Sequence, residues 1–163
     1  MLKYFRLDEK LKIGDEVISQ KKRNNYKENN DLEEIFEKHR NELFPNIPSR
    51  LDCIFIFENV KDITLAKKKY PKWTDYPVYE LEPIHILTSC KLNMDIIDYT
   101  RYVNKRDSGK GLDALIKSYW NGENILNIDT DYLRRDFNKG NPSFEDLSFE
   151  ILFYGTLRVT KEL

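Results

Sequence analysis

The chain carries almost no surplus of charge: 27 Lys and Arg stand against 28 Asp and Glu in 163 residues. No global field therefore draws it onto nucleic acid or an anionic lipid surface. No apolar run approaches the ~20 residues that a membrane-spanning helix requires, and the N-terminal residues lack the uninterrupted apolar stretch of a secretory signal. Cysteine is scarce, with Cys53 and Cys90 alone, which excludes a disulfide framework and leads to the expectation of buried free thiols in a reducing cytoplasm. The same two cysteines and the only two histidines, His39 and His85, show neither Cys-x-x-Cys nor His-Glu-x-x-His spacing, so no metal site is expected. Glycine is equally sparing. There is no Gly-x-Ser-x-Gly elbow, no dinucleotide-type glycine fingerprint, and Gly109-Lys110 lacks the remaining residues of a phosphate loop. Internal repeats and coiled-coil heptads are missing too. These absences lead to the expectation of a soluble, cytoplasmic protein with no membrane partner.

What is present is a globular composition. Hydrophobic residues make up 40% of the chain and aromatic residues 13%, enough to outweigh a charged fraction of 34%. The length suits one domain, residues 1–163, with a core of its own. Leu2 to Leu7 is short and aromatic-rich, a first strand. Gly14-Asp15 marks a turn between short extended pieces, and the polar stretch from Ser19 to Asn30, with Lys21-Lys22-Arg23, is expected to be a mobile loop. Asp31 is expected to cap a helix that buries Leu32, Ile35 and Phe36 and stops before Pro45; His39 then sits near its favourable C-terminal end. Leu51 to Phe57 is apolar on both faces, the pattern of a central strand. Asp62 is expected to cap a second helix, with Lys67-Lys68-Lys69 on its wet side and Pro71 at its end. Pro77 to Glu82 alternates as a strand, and Ile84 to Thr88 either extends it or forms another. Asn93 to Tyr102 reads as a helical turn or an irregular strand. Leu112 to Trp120 is a helix stopped by Asn121-Gly122, and Phe149 to Val159 is a second strongly extended stretch. Strands and helices that do not strictly alternate point to an α+β domain.

Polar residues punctuate the strands at places where a cleft would open. Arg6 interrupts the first, Ser49 and Arg50 stand at the start of the central one behind the rigid Ile47-Pro48 turn, and Glu150 begins the last. An Arg fork grips pyrophosphate in bidentate fashion, and a fixed carboxylate stabilises a sugar cation. Tyr4, Phe55 and Tyr79 are rings available for stacking, although strand aromatics usually serve the core. Glu145 competes with Glu150 as the key carboxylate, and Glu162, at the terminus, is a weaker candidate. The basic triplets are expected to be solvated surface features, so a nucleic-acid partner is not favoured.

The order of these residues resembles the arginine-serine-glutamate class of ADP-ribosyltransferases. Tyr4-Phe5-Arg6-Leu7-Asp8 looks like the tyrosine-arginine motif of that family's first strand. Pro48-Ser49-Arg50-Leu51 with the following apolar strand is similar to small bacterial and phage proteins of uncharacterised families thought to share the fold. Their Tyr-Trp-x-Gly segment is matched by Tyr119-Trp120-Asn121-Gly122 ahead of Glu150-Ile151-Leu152. The resemblance implies a mostly antiparallel split sheet with flanking helices and NAD as substrate. It also implies Glu150 and Ser49 as catalytic residues, and Arg6, Ser49, Arg50 and Tyr4 at the NAD, with transfer of ADP-ribose to a macromolecular acceptor. Ser49 is expected to matter more than Arg50, which braces the turn. The pattern departs from the family in two places. Only Ser49 matches the usual Ser-Thr-Ser, and Ser148 stands where arginine-modifying enzymes carry a second Glu, which implies a different acceptor or an inactive fold. The alternative is a non-catalytic module of similar fold that binds a nucleotide or a protein.

Overall fold

In a computed structural model the described residues are 2–19, 30–106, 111–128 and 147–163. In chain order they form β1 (Tyr4–Leu7), β2 (Glu16–Ile18), α1 (Asn30–Leu43), β3 (Ile54–Ile56), α2 (Val60–Lys69), β4 (Val78–Asn93), α3 (Met94–Arg106), α4 (Leu112–Trp120) and β5 (Phe149–Glu162), with short 3-10 turns at Pro71–Trp73 and Ile125–Asn127. The expected loop at 20–29, the Gly-Lys segment at 107–110 and Glu145 lie outside the described residues.

Two long strands carry the sheet. β4 and β5 pair antiparallel from Tyr79 opposite Glu162 to Asn93 opposite Phe149. β1 joins the first part of β4, while β2 and β3 share the other edge of β5. Every pairing among these strands is antiparallel, so the architecture is α+β. Where a split sheet was expected, the described strands form one five-stranded sheet. That sheet curls: Phe5 and Phe57 exchange two backbone hydrogen bonds of 2.8 and 2.7 Å, which links β1 to the residue after β3.

Strand alternation divides the core between the two faces. One face holds Tyr4, Ile54, Ile56, Tyr79, Leu81 and Phe153 in one cluster. The other, with Leu92, Leu152 and Phe55, packs against Leu32 and Phe36 of α1, Ile96 and Tyr99 of α3, and Tyr119 and Trp120 of α4. The Trp120 indole donates to the Phe36 carbonyl at 2.9 Å, so even its polar edge is satisfied where it is buried.

Local chemistry moves several boundaries. The apolar run from Leu51 begins to pair only at Ile54, because Ser49 to Asp52 is a turn: the Ser49 hydroxyl accepts from the Leu51 amide (3.1 Å) and the Ser49 carbonyl from the Asp52 amide (3.1 Å). Asp31 lies inside α1 rather than capping it. The cap of α2 is Asn59, not Asp62. Its side chain accepts from the Asp62 amide at 2.9 Å and donates to the Asp62 carboxylate at 2.7 Å, a reciprocal pairing of cap and third helical residue. β4 runs through Pro83 because the register shifts there, and a shifted register has no ladder bond for proline to lose. The stretch after Asn93 is a full helix, α3, whose Ile96, Tyr99, Thr100 and Val103 recur at helical spacing. Lys67 and Lys69 are not merely wet: Lys67 donates to the Thr74 and Tyr76 carbonyls, and Lys69 to Asp95 and Ser148.

Gly155 of β5 sits close against the His85 backbone of β4. Its φ is +153°, and a β-carbon there would lie 2.1 Å from the His85 carbonyl oxygen. Gly155→Ala is therefore expected to lower the unfolding free energy in urea by about 3 kcal/mol, from overpacking and backbone strain together. An unchanged urea midpoint would show that the two strands separate freely at this point.

Candidate functional site

The turn at Ser49–Asp52 throws Arg50 inward, onto the helix-facing side of the sheet. β5 places Glu150 on that same side, two residues from Leu152. α4 supplies Tyr119 from above, and α1 supplies Glu33. Arg50 is 7% exposed and Glu150 4%. Nη1 of Arg50 donates to Glu150 Oε1 at 2.5 Å and also to the Tyr119 hydroxyl, while Tyr119 donates to the same Oε1 at 2.9 Å. Nε of Arg50 reaches Glu33 Oε2 at 3.4 Å. The guanidinium lies 5.0 Å from the centre of the Phe55 ring and 5.3 Å from that of Tyr119, within range of a cation–π attraction.

Burial works against the Arg50 cation, but Tyr119, Glu150 and Glu33 overcome it and hold its pKa well above the usual arginine value. Burial also pushes the Tyr119 phenol well above its usual range, with Arg50 opposing and Glu150 assisting. Tyr119 thus stays protonated and donates to Glu150. Arg50 and Tyr119 leave the carboxylate little freedom to turn, and both bind the same oxygen.

A cavity of about 320 Å³ opens beside this node, within the size range of small-molecule sites. Glu33, Arg50, Phe55 and Glu150 line its more buried end; Arg6, Tyr70, Lys72, Trp73 and Arg101 line it further out, with Leu7, Phe57, Met94 and Ile97 as apolar wall. The chain thus brings Arg6, Arg50 and Glu150 to one cavity. Arg6 is engaged at its rim: Nε and Nη2 face Asp8 at 3.1 Å and Nη1 donates to the Phe55 carbonyl at 3.3 Å.

Tyr4 and Ser49 are not brought there. Tyr4 alternates onto the opposite face of the sheet, where its ring meets Phe153 edge-on at 5.7 Å, so it is a core residue. Ser49 lines a different, acidic cavity with Glu33, Glu37 and Asp52, and its hydroxyl is used in the turn. The expected ranking of the pair is reversed: Ser49 braces the turn, and Arg50 enters the site. Tyr79 is buried with Tyr4, whereas Phe55 lines the cleft. Ser148 is fully buried; its amide donates to Asp95 and its hydroxyl accepts from Lys69 at 3.1 Å.

Sequence reasoning gave no site role to Tyr119, Glu33, Tyr70, Lys72, Trp73 or Arg101. Tyr119 was visible as part of Tyr-Trp-x-Gly, but its contact with Glu150 spans 31 residues and has no local signal. No group of three or more potential metal ligands occurs among the described residues, and no helix among them is long and apolar enough to cross a membrane.

Residues 3–163 match the family described as "Protein of unknown function (DUF2441)", and the chain belongs to that family. No curated protein matches it.

The two thiols offer no nucleophile. Burial raises Cys53 to about 12 and Cys90 to about 11, with Cys90 and Asp52 adding to the rise at Cys53 and Glu150 to that at Cys90. Both pKa values lie above those of an unfolded thiol, so the protonated form persists in the folded protein through the range where the unfolded chain ionises, and unfolding is favoured as pH climbs from about 9. Accordingly, a disulfide reagent at pH 8 is expected to label Cys53 and Cys90 at least about tenfold more slowly in the folded protein than in urea. Equal rates would place a thiolate at the site after all.

Proposed function

We propose, for a family whose description assigns no activity, that this protein is ADP-ribosyltransferase-like: it binds NAD in the cleft and transfers ADP-ribose to a protein or nucleic-acid acceptor. The observation that carries this reading is the convergence of Arg6, Arg50 and Glu150 on one cavity from three distant parts of the chain. In the proposed reaction the bond between nicotinamide and the ribose anomeric carbon breaks. Nicotinamide leaves with the bonding electron pair, which neutralises its ring charge, and positive charge develops on the ribose. Glu150, held by Arg50 and Tyr119, is the carboxylate that stabilises that charge in this reading. The acceptor nucleophile then bonds to the anomeric carbon and loses its proton.

The residues fit such a substrate in kind. Cations and aromatic rings surround the mouth of the cavity, and a carboxylate lies at its deep end. Arg50 acts in this reading as the residue that positions Glu150, and Ser49 supports it through the turn. Ser148, buried and bonded to Lys69 and Asp95, supplies no side chain to direct an acceptor, so acceptor choice falls to other surfaces. The free thiols agree with a cytoplasmic setting.

One observation favours a second reading, a nucleotide-binding module without turnover. Glu150 Oε1 is bound by both a cation and a phenol, and that neutralisation weakens the carboxylate as a stabiliser of a sugar cation. The two readings part on one assay. Purified protein incubated with NAD is expected to release nicotinamide, and Glu150→Gln to slow that release by about 100-fold or more. Release unchanged by the substitution would remove Glu150 from the mechanism. NAD binding with no release leaves the second reading, and no NAD binding at millimolar concentration rejects both.

A further inference from the structure

The cleft has two tiers of different character. At the deep end the Arg50 charge is met by two carboxylates, Glu150 and Glu33, and the side chains are nearly closed to solvent, 8% exposed for Arg50 and 6% for Glu150. At the rim the balance changes. The Arg101 side chain is 41% exposed and, among the described residues, holds Asp98 through Nη1 alone, at 3.1 Å. Lys72 lies 5.6 Å from the centre of the Trp73 ring and meets no carboxylate among the described residues. Asp98 also accepts from the Tyr70 hydroxyl, and the Tyr70 and Trp73 rings are 4.4 Å apart. Arg101, Asp98, Tyr70, Trp73 and Lys72 thus form one connected strip, with two cations whose donors are free or nearly so among the described residues and a half-buried indole between them. The third rim cation, Arg6, already spends its donors on Asp8 and Phe55.

We infer that this strip is a subsite for a nucleoside diphosphate: Lys72 and Arg101 bind the phosphates, and the Trp73 ring receives the flat base. An ammonium and a guanidinium with donors unused among the described residues suit the spread charge of a diphosphate, and an indole face is the best stacking surface among side chains. The Tyr70–Asp98–Arg101 bonds hold the guanidinium and the aromatic pair together, so the subsite is assembled before a ligand arrives. The inference rests on reading the cleft as a dinucleotide site, and it assigns the phosphate-bearing part of the ligand to the rim and the reacting sugar to the Glu150 end.

The chain has two tryptophans, and Trp120 is buried at 1% exposure, so a change in intrinsic fluorescence on ligand addition reports on Trp73. ADP is expected to change the emission of the unmodified protein and not that of Trp73→Phe. By calorimetry the Lys72→Ala/Arg101→Ala protein is expected to bind ADP at least about tenfold more weakly, with adenosine, which lacks phosphate, nearly unaffected. Lys72→Ala alone, at an exposed position with no ion pair among the described residues, is expected to shift ADP affinity in the same direction and guards against a folding defect in the double variant. ADP affinity unchanged in these variants, or no ADP binding at millimolar concentration, overturns the subsite. Nicotinamide release from NAD that persists with unaltered KM in Lys72→Ala/Arg101→Ala would overturn it while leaving the proposed reaction standing. ADP binding that depends on Lys72 and Arg101 without any NAD turnover would do the reverse.

Discussion

The structure is organised around one buried cation. Arg50 leaves a tight turn before β3 and is enclosed by a carboxylate from β5, a phenol from α4, a second carboxylate from α1 and the face of a phenylalanine from β3. Four elements far apart in sequence are therefore positioned by a single guanidinium. Removing a charge pair of this kind from water is costly, and the arrangement persists only because every partner is in place. A lysine in the same place would offer neither the fork that serves Glu150 and Glu33 together nor a flat face for Phe55. The same requirement shapes the surroundings: the turn at Ser49 aims the side chain, and α1 and α4 must pack on the sheet for Glu33 and Tyr119 to arrive.

This node also accounts for the form of the cleft. Its deep end is buried and sets one cation between two carboxylates, while the rim is cationic, aromatic and open. That gradient is what the proposed dinucleotide, with an anionic middle and a flat end, would use. The carboxylate at the deep end cannot turn away from the cavity without giving up both Arg50 and Tyr119. Such fixed geometry is what electrostatic stabilisation of a developing charge requires, and it is equally compatible with a rigid binding site, which is why turnover and binding have to be measured apart.

Much of the architecture could be read from the chain because its signals are local. Asn121-Gly122 ends α4, Pro45 follows α1, and the alternating apolar residues of β4 and β5 announce strands. Arg6, Arg50 and Glu150 were legible as polar residues breaking apolar strands, and they do share a cavity. The failures are physical in origin. Leu51 to Phe57 is apolar on both faces apart from Asp52, so periodicity could not show that a serine hydroxyl turns the chain before the strand begins. The Asp62 cap was misplaced because Asn59 and Asp62 are both good capping residues at the spacing of a reciprocal pair. Tyr4 could not be assigned to a face without the pairing register with Leu81. Tyr119, Lys72 and Trp73 reach the cleft only through packing of helix and turn on sheet, which no short pattern encodes.

The central claim is that Arg50 and Glu150 act as one unit that holds both the sheet-to-helix packing and the cleft. The most direct measurement is a double-mutant cycle on urea unfolding with Arg50→Met, Glu150→Gln and the pair together. The account predicts that each single change is far more damaging than its share of the double change, with a coupling of about 2 kcal/mol or more. Independent effects that simply add would contradict it.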